Sequence, residues 1–447
     1  MERTDRGNSE QTVSIKTVAG ASLLGTTIEW YDFFIYITAA SIVFNQLFFP
    51  EFEPLVGTLL AYSVNAVAFV ARPIGGALFG HFGDRIGRKS MLIATLLLMG
   101  LATFAIGCLP TYSQIGVVAP LILVVLRFLQ GLGLGGEWGG AVLMAVEHSP
   151  EDRRGFYGSF PQMGIPAGVI FSSLIFLALT FSLSNEQFLS WGWRVPFLLS
   201  IVLVAVGLFI RLRILESPAF QSIQESGTTA RVPLVDVFRD HWKQVLVVAG
   251  AYLAQNITFY ILISFVLAYG EEQLGFPRPT VISIIVIFSI VSFILLPIFA
   301  LLSDRFGRKP LLLTGTAGMG IFAFVMFPLL DTGNYPLMLL GHLALTFFQS
   351  MALGPVATFF VELFSTRVRY TGATMGYQLG TVIAGGSALI VATALLQYFG
   401  SSLYISAYMA VVCVLSFIVV WAGAETYQRD IGEEAEYSQP APGQATS

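Results

Sequence analysis

Asp84-Arg85-Ile86-Gly87-Arg88-Lys89 closes one long apolar run and opens the next. The same pattern returns as Asp304-Arg305-Phe306-Gly307-Arg308-Lys309, 220 positions later and again between two apolar runs. A second pairing lies nearby. Glu147 precedes Arg154 by seven positions and Glu362 precedes Arg369 by seven, at an offset of 215. Two loop matches at similar offsets mark an internal duplication, two copies of one helical bundle. In a membrane chain that is the transporter pattern, with the substrate site between the halves.

Of the 447 residues, 55% are hydrophobic and 11% charged. A soluble domain carries about 25% charged residues, so this chain has too few to coat a water-exposed surface. Its charges cluster, and the segments between clusters are apolar for ~20 residues, the length of a bilayer-crossing helix. Barrel strands do not fit, because the runs are too long and do not alternate. Twelve spans result, near 18–44, 57–80, 90–108, 116–146, 156–182, 192–212, 244–270, 280–302, 310–330, 336–361, 371–397 and 402–423. The expected fold class is an all-α membrane protein with twelve transmembrane helices in two pseudo-symmetric six-helix bundles. A tail at 1–17 precedes a bundle at 18–212. A linker at 213–243, with a short surface helix near Leu234–Phe238, leads to a bundle at 244–423. The polar tail at 424–447 reads as disordered.

Basic residues set the orientation. Nineteen lie in the tails and in loops on one side, and one, Arg278, lies on the other; Arg72, Arg127 and Arg194 fall within or at the ends of spans. Both termini and the linker are therefore expected in the cytoplasm. The net charge of -4 argues against nucleic-acid binding, which needs a basic face. Cys108 and Cys413 lie in apolar runs and imply neither a disulfide framework nor a metal site. The first sixteen residues have no signal-peptide layout. No cofactor is expected, and no nucleophile–base or metal spacing in the loops suggests an enzyme. The expected partners are the lipid bilayer, protons and a small-molecule substrate, with the monomer as the functional unit.

Ionisable groups inside a span cost roughly 2.5–3.5 kcal/mol each and are functional candidates by default. The first half holds Glu29, Asp32, Arg72, Arg127 and Glu137, whereas the second has only His342 near mid-span. Proton coupling is therefore expected in the first half. A carboxylate such as Asp32 favours its proton in low dielectric, and a neighbouring arginine favours losing it, so small movements can decide. Glu29, one turn earlier, belongs to a proton path, a helix cap or an interfacial pair; with Asp32 and Tyr36 it forms a polar stripe. Glu137 is a second proton site, a substrate ligand or a partner for Arg72. At 100° per residue, Gln130 and Glu137 share one face of span 4, with Arg127 to the side. Gly131, Gly135 and Gly139 line another face, where small residues permit close helix contact.

Arg72 suits bidentate capture of a substrate carboxylate, or else a structural ion pair or snorkelling. Asn65, seven residues before it, shares its face. Neutral candidates are Tyr36 in span 1, Gln130 in span 4, Gln162 in span 5, beside Pro161 and Pro166, then Gln255, Asn256 and Tyr260 on span 7, Gln349 on span 10 and Gln378 on span 11. Such groups suit hydroxyls and carboxylate oxygens, or hold helices together. The loop residues Asp84, Arg85, Arg88, Glu147 and Arg154, with Asp304, Arg305, Arg308, Glu362 and Arg369, are read as gates. Acidic residues at fixed offsets in basic loops can pair across the halves. Ala300 stands where the first copy has Gly80, which suggests a weaker second gate.

Further stretches carry a family likeness: Gly25-Thr26-Thr27-Ile28-Glu29-Trp30-Tyr31-Asp32-Phe33-Phe34, Arg72-Pro73-Ile74-Gly75-Gly76, Arg127-Phe128-Leu129-Gln130-Gly131, Gly135-Gly136-Glu137-Trp138-Gly139-Gly140 and Gly192-Trp193-Arg194-Val195-Pro196-Phe197. With the duplicated loops, they make the chain resemble the major facilitator superfamily. Within it the chain is similar to the metabolite:proton symporters, carriers for shikimate, 2-oxoglutarate, citrate and other carboxylates, and proline/betaine. The resemblance implies that Asp32 and Arg127 face each other across the first-half core, and that Arg127 to Gly131 is a proton-coupling motif. It also implies a prokaryotic plasma membrane. Gly164-Ile165-Pro166-Ala167-Gly168 does not match the motif associated with antiporters. The expected function is proton-coupled symport of a small organic acid, a mono- or dicarboxylate or shikimate-like, by alternating access. The alternative is uptake of a zwitterionic osmolyte such as proline or betaine. A drug exporter and a non-transporting receptor are the remaining readings.

Overall fold

The computed structural model describes residues 15–51, 54–212 and 233–427. The expected tails at 1–14 and 428–447, and residues 213–232 of the linker, lie outside the described residues. Twelve long helices occur among the described residues: α1 Ile15–Ala39, α2 Pro54–Ile86, α3 Arg88–Cys108, α4 Val118–Glu147, α5 Arg154–Ser182, α6 Arg194–Leu212, α7 Trp242–Tyr260, α8 Arg278–Phe306, α9 Arg308–Asp331, α10 Tyr335–Glu362, α11 Arg369–Phe399 and α12 Leu403–Ala422. Ten spans among the described residues are long and apolar enough to cross a membrane by length and composition. Their outward faces carry apolar side chains such as Phe171, Phe209, Ile294, Ile390 and Trp421, all exposed, as a lipid-facing surface requires. The short helix near Leu234–Phe238 is present as Pro233–Asp240.

The packing repeats as the loops do. In the first half α1 packs on α5, α2 on α4, and α3 on α4 and α6. In the second, α7 packs on α11, α8 on α10, and α9 on α10 and α12. The halves meet along α5–α8 and α2–α11, which are equivalent pairs. A further repeat lies in the backbone. α1 runs into a π-helical turn at Ala40–Phe44, and α7 into one at Ile261–Phe265, 221 positions later. Such turns mark places where the backbone ladder slips by one residue.

The glycine of each basic loop has a local cause. Gly87 and Gly307 have φ of 115° and 94°, a region that favours residues without Cβ. One such residue reverses the chain between α2 and α3, and again between α8 and α9. Glycines also set the helix contacts. A Cβ at Gly168 would stand 2.7 Å from the Tyr31 backbone nitrogen, so α5 closes directly on α1. The glycines of α4 act similarly. Gly131 approaches the Ala68 backbone and Gly135 the Arg72 backbone, while Gly139 faces Thr374 and Tyr370 of α11.

Candidate functional site

The two loop aspartates lie at one end of the molecule, here the basic end. Asp84 accepts from the backbone N–H groups of Tyr370 and Thr371, at 3.3 and 2.9 Å, and from the Thr371 hydroxyl at 2.8 Å. Asp304 accepts from the N–H groups of Gly155 and Phe156, each at 2.8 Å. Tyr370 and Thr371 open α11, and Gly155 and Phe156 open α5. The first turn of a helix has free N–H groups and a positive dipole end. Each carboxylate therefore caps a helix of the opposite half, and the two caps are equivalent by the repeat. The basic end is closed.

Ion pairs reinforce both caps. The Glu147 carboxylate accepts from Arg88 at 3.3 Å and from Arg369, across the halves, at 3.2 Å. Glu362 accepts from Arg308 at 3.2 Å, and Arg308 also pairs with Asp304 at 2.6 Å. Arg154 lies within electrostatic reach of Glu362. The expected gate residues Arg85 and Arg305 are both exposed, and Arg85 meets its own neighbour His81. Ala300, read as the mark of a weaker second gate, meets a small partner, Gly155, whose Cβ position lies 2.7 Å from the Ala300 carbonyl. Residues 424–427, expected to begin a disordered tail, are tied down. Glu425 accepts from the N–H groups of Arg308 and Lys309, Thr426 donates to Glu362, and the Tyr427 hydroxyl donates to the Asp304 carbonyl.

Asp32 and Arg127 are each 1% exposed. They are joined by a relay rather than a direct pair. The Thr103 hydroxyl on α3 lies 2.9 Å from Asp32 Oδ2, Gln130 Nε2 donates to Thr103 at 2.6 Å, and Arg127 donates to Gln130 Oε1 at 2.9 Å. The Arg127 guanidinium lies over the Tyr36 ring, 3.9 Å from its centre. Tyr36 and Gln130, offered as substrate ligands, thus belong with the Asp32–Arg127 cluster.

Arg72 does not pair with Glu137. The Glu137 carboxylate is held in two-pronged fashion by Arg211 and accepts from Thr95 at 2.6 Å. Arg211, counted as a loop charge, sits buried in the last turn of α6. This pair ties α4 to α6 and α3. Removing one partner of a buried pair strands the other charge and costs about 3–5 kcal/mol. Glu137→Gln is therefore expected to lower the thermal midpoint of the purified protein markedly. Glu137→Leu combined with Arg211→Met is expected to recover most of the loss.

Arg72 is 2% exposed, and its Nε and Nη2 make no hydrogen bond among the described residues. Its guanidinium lies 4.6 Å from the Phe69 ring centre and 4.8 Å from that of Phe33. An aromatic ring stabilises the charge of a guanidinium but leaves its N–H donors without a strong acceptor. Glu29, Tyr252, Tyr260 and Tyr377 lie within electrostatic reach of it. Further polar atoms are buried without partners among the described residues: Glu29 Oε2, the Tyr260 hydroxyl, both side-chain atoms of Gln255, Asn256 Oδ1, Gln162 Nε2 and Gln378 Oε1. Their remaining atoms are fixed. Trp138 donates to Gln162 at 2.7 Å and stacks on Tyr377, with ring centres 3.9 Å apart. Tyr252 meets Tyr377 at 3.2 Å, Asn256 donates to Thr381, Gln378 to the Gly135 carbonyl, and Gln349 to the Gln255 carbonyl. Both halves thus hold incompletely satisfied amides, and the phenols of Tyr252, Tyr260 and Tyr377 lie within reach of Arg72. The Asn65 side chain lies outside the described residues.

Thr103, Thr95, Arg211 and Trp138 are the participants that the sequence did not single out. A threonine in an apolar helix usually bonds its own backbone and leaves no pattern. Arg211 stands two residues from the linker and reads as topology.

Comparisons with known proteins agree with this architecture. The family model described as Major Facilitator Superfamily matches residues 22–385 and 272–442. The inner membrane metabolite transport protein YhjE of Escherichia coli (strain K12) is 42% identical, over 92% of this chain and 94% of the relative. The shikimate transporter of the same organism is 37% identical, over 93% and 95%. The glycine betaine/proline/ectoine/pipecolic acid transporter OusA of Dickeya dadantii (strain 3937) is 33% identical, over 89% and 81%. Among solved structures, the proton:xylose symporter XylE bound to 6-bromo-6-deoxy-D-glucose superposes with a TM-score of 0.75 at 19% identity, covering 94% of this chain and 98% of that one. The chain is a multi-pass membrane transporter, not an enzyme, and belongs to the Major Facilitator Superfamily.

Proposed function

We propose that this protein imports a small organic acid together with protons, by alternating access between its two halves. One observation carries the substrate class: the buried Arg72 guanidinium, packed over the rings of Phe33 and Phe69, has two donors, Nε and Nη2, with no hydrogen bond among the described residues. A buried cation requires a counter-charge, and a planar carboxylate meets an arginine edge two bonds at a time. The amides of Gln162, Gln255, Asn256 and Gln378, with the Tyr260 hydroxyl, receive the hydroxyls or second carboxylate of the substrate.

Asp32 carries the coupled proton, and Arg127 responds to its charge through the relay. Glu29 lies within reach of Asp32, Arg72 and Arg211, and so links the proton site to the anion site. Protonation removes a negative charge that would repel the incoming acid. The basic end faces the cytoplasm of a prokaryotic cell, as its excess of basic residues indicates. The state described here is thus shut to the inside. Breaking the Asp84 and Asp304 caps opens it, with residues 18–212 and 244–423 rocking as two units, each monomer working alone.

A zwitterion such as proline or betaine is the second reading, because it too offers a carboxylate and because relatives such as OusA bear such names. The ring faces beside Arg72 are already occupied by its guanidinium, which disfavours a second cation there. Substrate counterflow in proteoliposomes tests the choice, with shikimate, 2-oxoglutarate, citrate, a short monocarboxylate, proline and betaine. Exchange of one acid and not of betaine or proline is expected. Exchange of betaine alone would replace the acid by the osmolyte.

A further inference from the structure

We infer that Thr103 is a positioning residue for proton coupling, whose hydroxyl keeps a hydrogen bond to Asp32 Oδ2 in both charge states by reversing the direction of that bond. This rests on the reading of Asp32 as the coupled carboxylate. Three groups surround the Thr103 oxygen. Asp32 Oδ2 lies at 2.9 Å, the Met99 carbonyl at 2.9 Å, and the Gln130 amide donates at 2.6 Å. A hydroxyl has one proton to give and two lone pairs to receive with. Two of these neighbours are acceptors, so the single proton must choose between them.

When Asp32 is ionised, Thr103 gives its proton to Oδ2. When Asp32 is protonated, the carboxyl O–H donates to Thr103, which turns its own proton to the Met99 carbonyl. In both states Gln130 donates to Thr103. No atom of the hydroxyl is left unsatisfied in either, and the heavy atoms need not move. Oδ2 therefore gains and loses its proton without losing its hydrogen bond to Thr103. The hydroxyl also keeps Gln130 in place, and with it the Arg127 contact, through the change.

The surroundings of Asp32 leave this role to Thr103. On α1 itself the other carboxylate is Glu29. α4 contributes Arg127 and Gln130. α2 contributes Arg72, which acts through Glu29. α5 meets this stretch of α1 with Gly164 and Gly168. α6 offers the Pro196 carbonyl, which accepts from Tyr31, and Arg211, within reach of Glu29. Asp32 Oδ1 makes no hydrogen bond among the described residues, so Thr103 is the hydrogen-bond donor found on this carboxylate.

The test is the pH profile of gradient-driven uptake for the native protein and for Thr103→Val, Thr103→Ala, Thr103→Ser and Asp32→Asn. Valine keeps the shape and removes the hydroxyl. The bond to the ionised carboxylate is stronger than the one to the neutral carboxyl, so losing both moves the profile to higher pH by about one unit. Alanine is expected to move it the same way, which keeps the test available if the valine protein does not fold. Serine restores the native profile. A packing role alone would lower uptake at every pH without moving the midpoint. Val and Ala profiles that overlay the native one, while Asp32→Asn abolishes the proton dependence, would overturn the role of Thr103 and leave Asp32 standing. An Asp32→Asn protein with native proton dependence would overturn both.

Discussion

Arg72→Lys loses about 100-fold in substrate affinity, measured by counterflow or by titration of the purified protein. The conservative charge does not rescue it. The guanidinium packs over the rings of Phe33 and Phe69, and its Nε and Nη2 donors make no hydrogen bond among the described residues. An ammonium is a strongly hydrated point charge that neither stacks this way nor donates two parallel bonds. Removing one partner of a buried, hydrogen-bonded charge pair costs about 2–5 kcal/mol, and 2.7 kcal/mol is about 100-fold. Arg72→Ala is expected to bind no measurable acid. The protein should still fold, because Arg72 makes no ion pair among the described residues whose loss would strand a carboxylate. Native affinity in Arg72→Lys would remove the anion site from this position.

Asp84→Asn with Asp304→Asn opens the basic end. Each aspartate accepts at least two backbone N–H bonds from the first turn of a helix in the other half. An asparagine has one acceptor oxygen and presents an NH2 group to the second donor. It also removes the charge that the dipole favours. Losing about 1–1.5 kcal/mol per cap shifts the closed-to-open balance about tenfold per site and about 100-fold for both. The reporter is Thr358→Cys. Thr358 is buried at the seam, donating to the Arg154 carbonyl at 3.2 Å. Alkylation of that cysteine should accelerate about tenfold in either single variant and about 100-fold in the double. Unchanged labelling would mean that the ion pairs of Glu147 and Glu362 close this end without the caps.

The architecture was legible because its marks are coarse. Apolar runs of span length and a duplicated Asp-Arg-x-Gly-Arg-Lys loop depend on composition and on one glycine with positive φ. The twelve helices fall where those marks placed them. The contacts at the basic end were legible for a similar reason: a carboxylate in a basic loop has few uses, and Asp84, Asp304, Glu147 and Glu362 all bridge or brace the seam. What stayed hidden was partner choice. The sequence offered Glu137 to Arg72, yet Arg211 reaches it from the end of α6, a contact fixed by helix rotation and not by spacing. Asp32 and Arg127, which the resemblance set face to face, are linked through Thr103 and Gln130, and Thr103 belongs to a third helix with no periodic signal. The paired π-helical turns have no residue signature, and Glu425 reads as the start of a polar tail until it is seen capping α9.

The most direct measurement is uphill uptake into proteoliposomes under an imposed inward proton gradient, for the native protein and Asp32→Asn, using the acid that counterflow selects. Accumulation by the native protein that collapses with a protonophore, and is absent in Asp32→Asn while counterflow persists, is the predicted result. Equal accumulation by both proteins, or native accumulation indifferent to the protonophore, would contradict proton-coupled symport through Asp32.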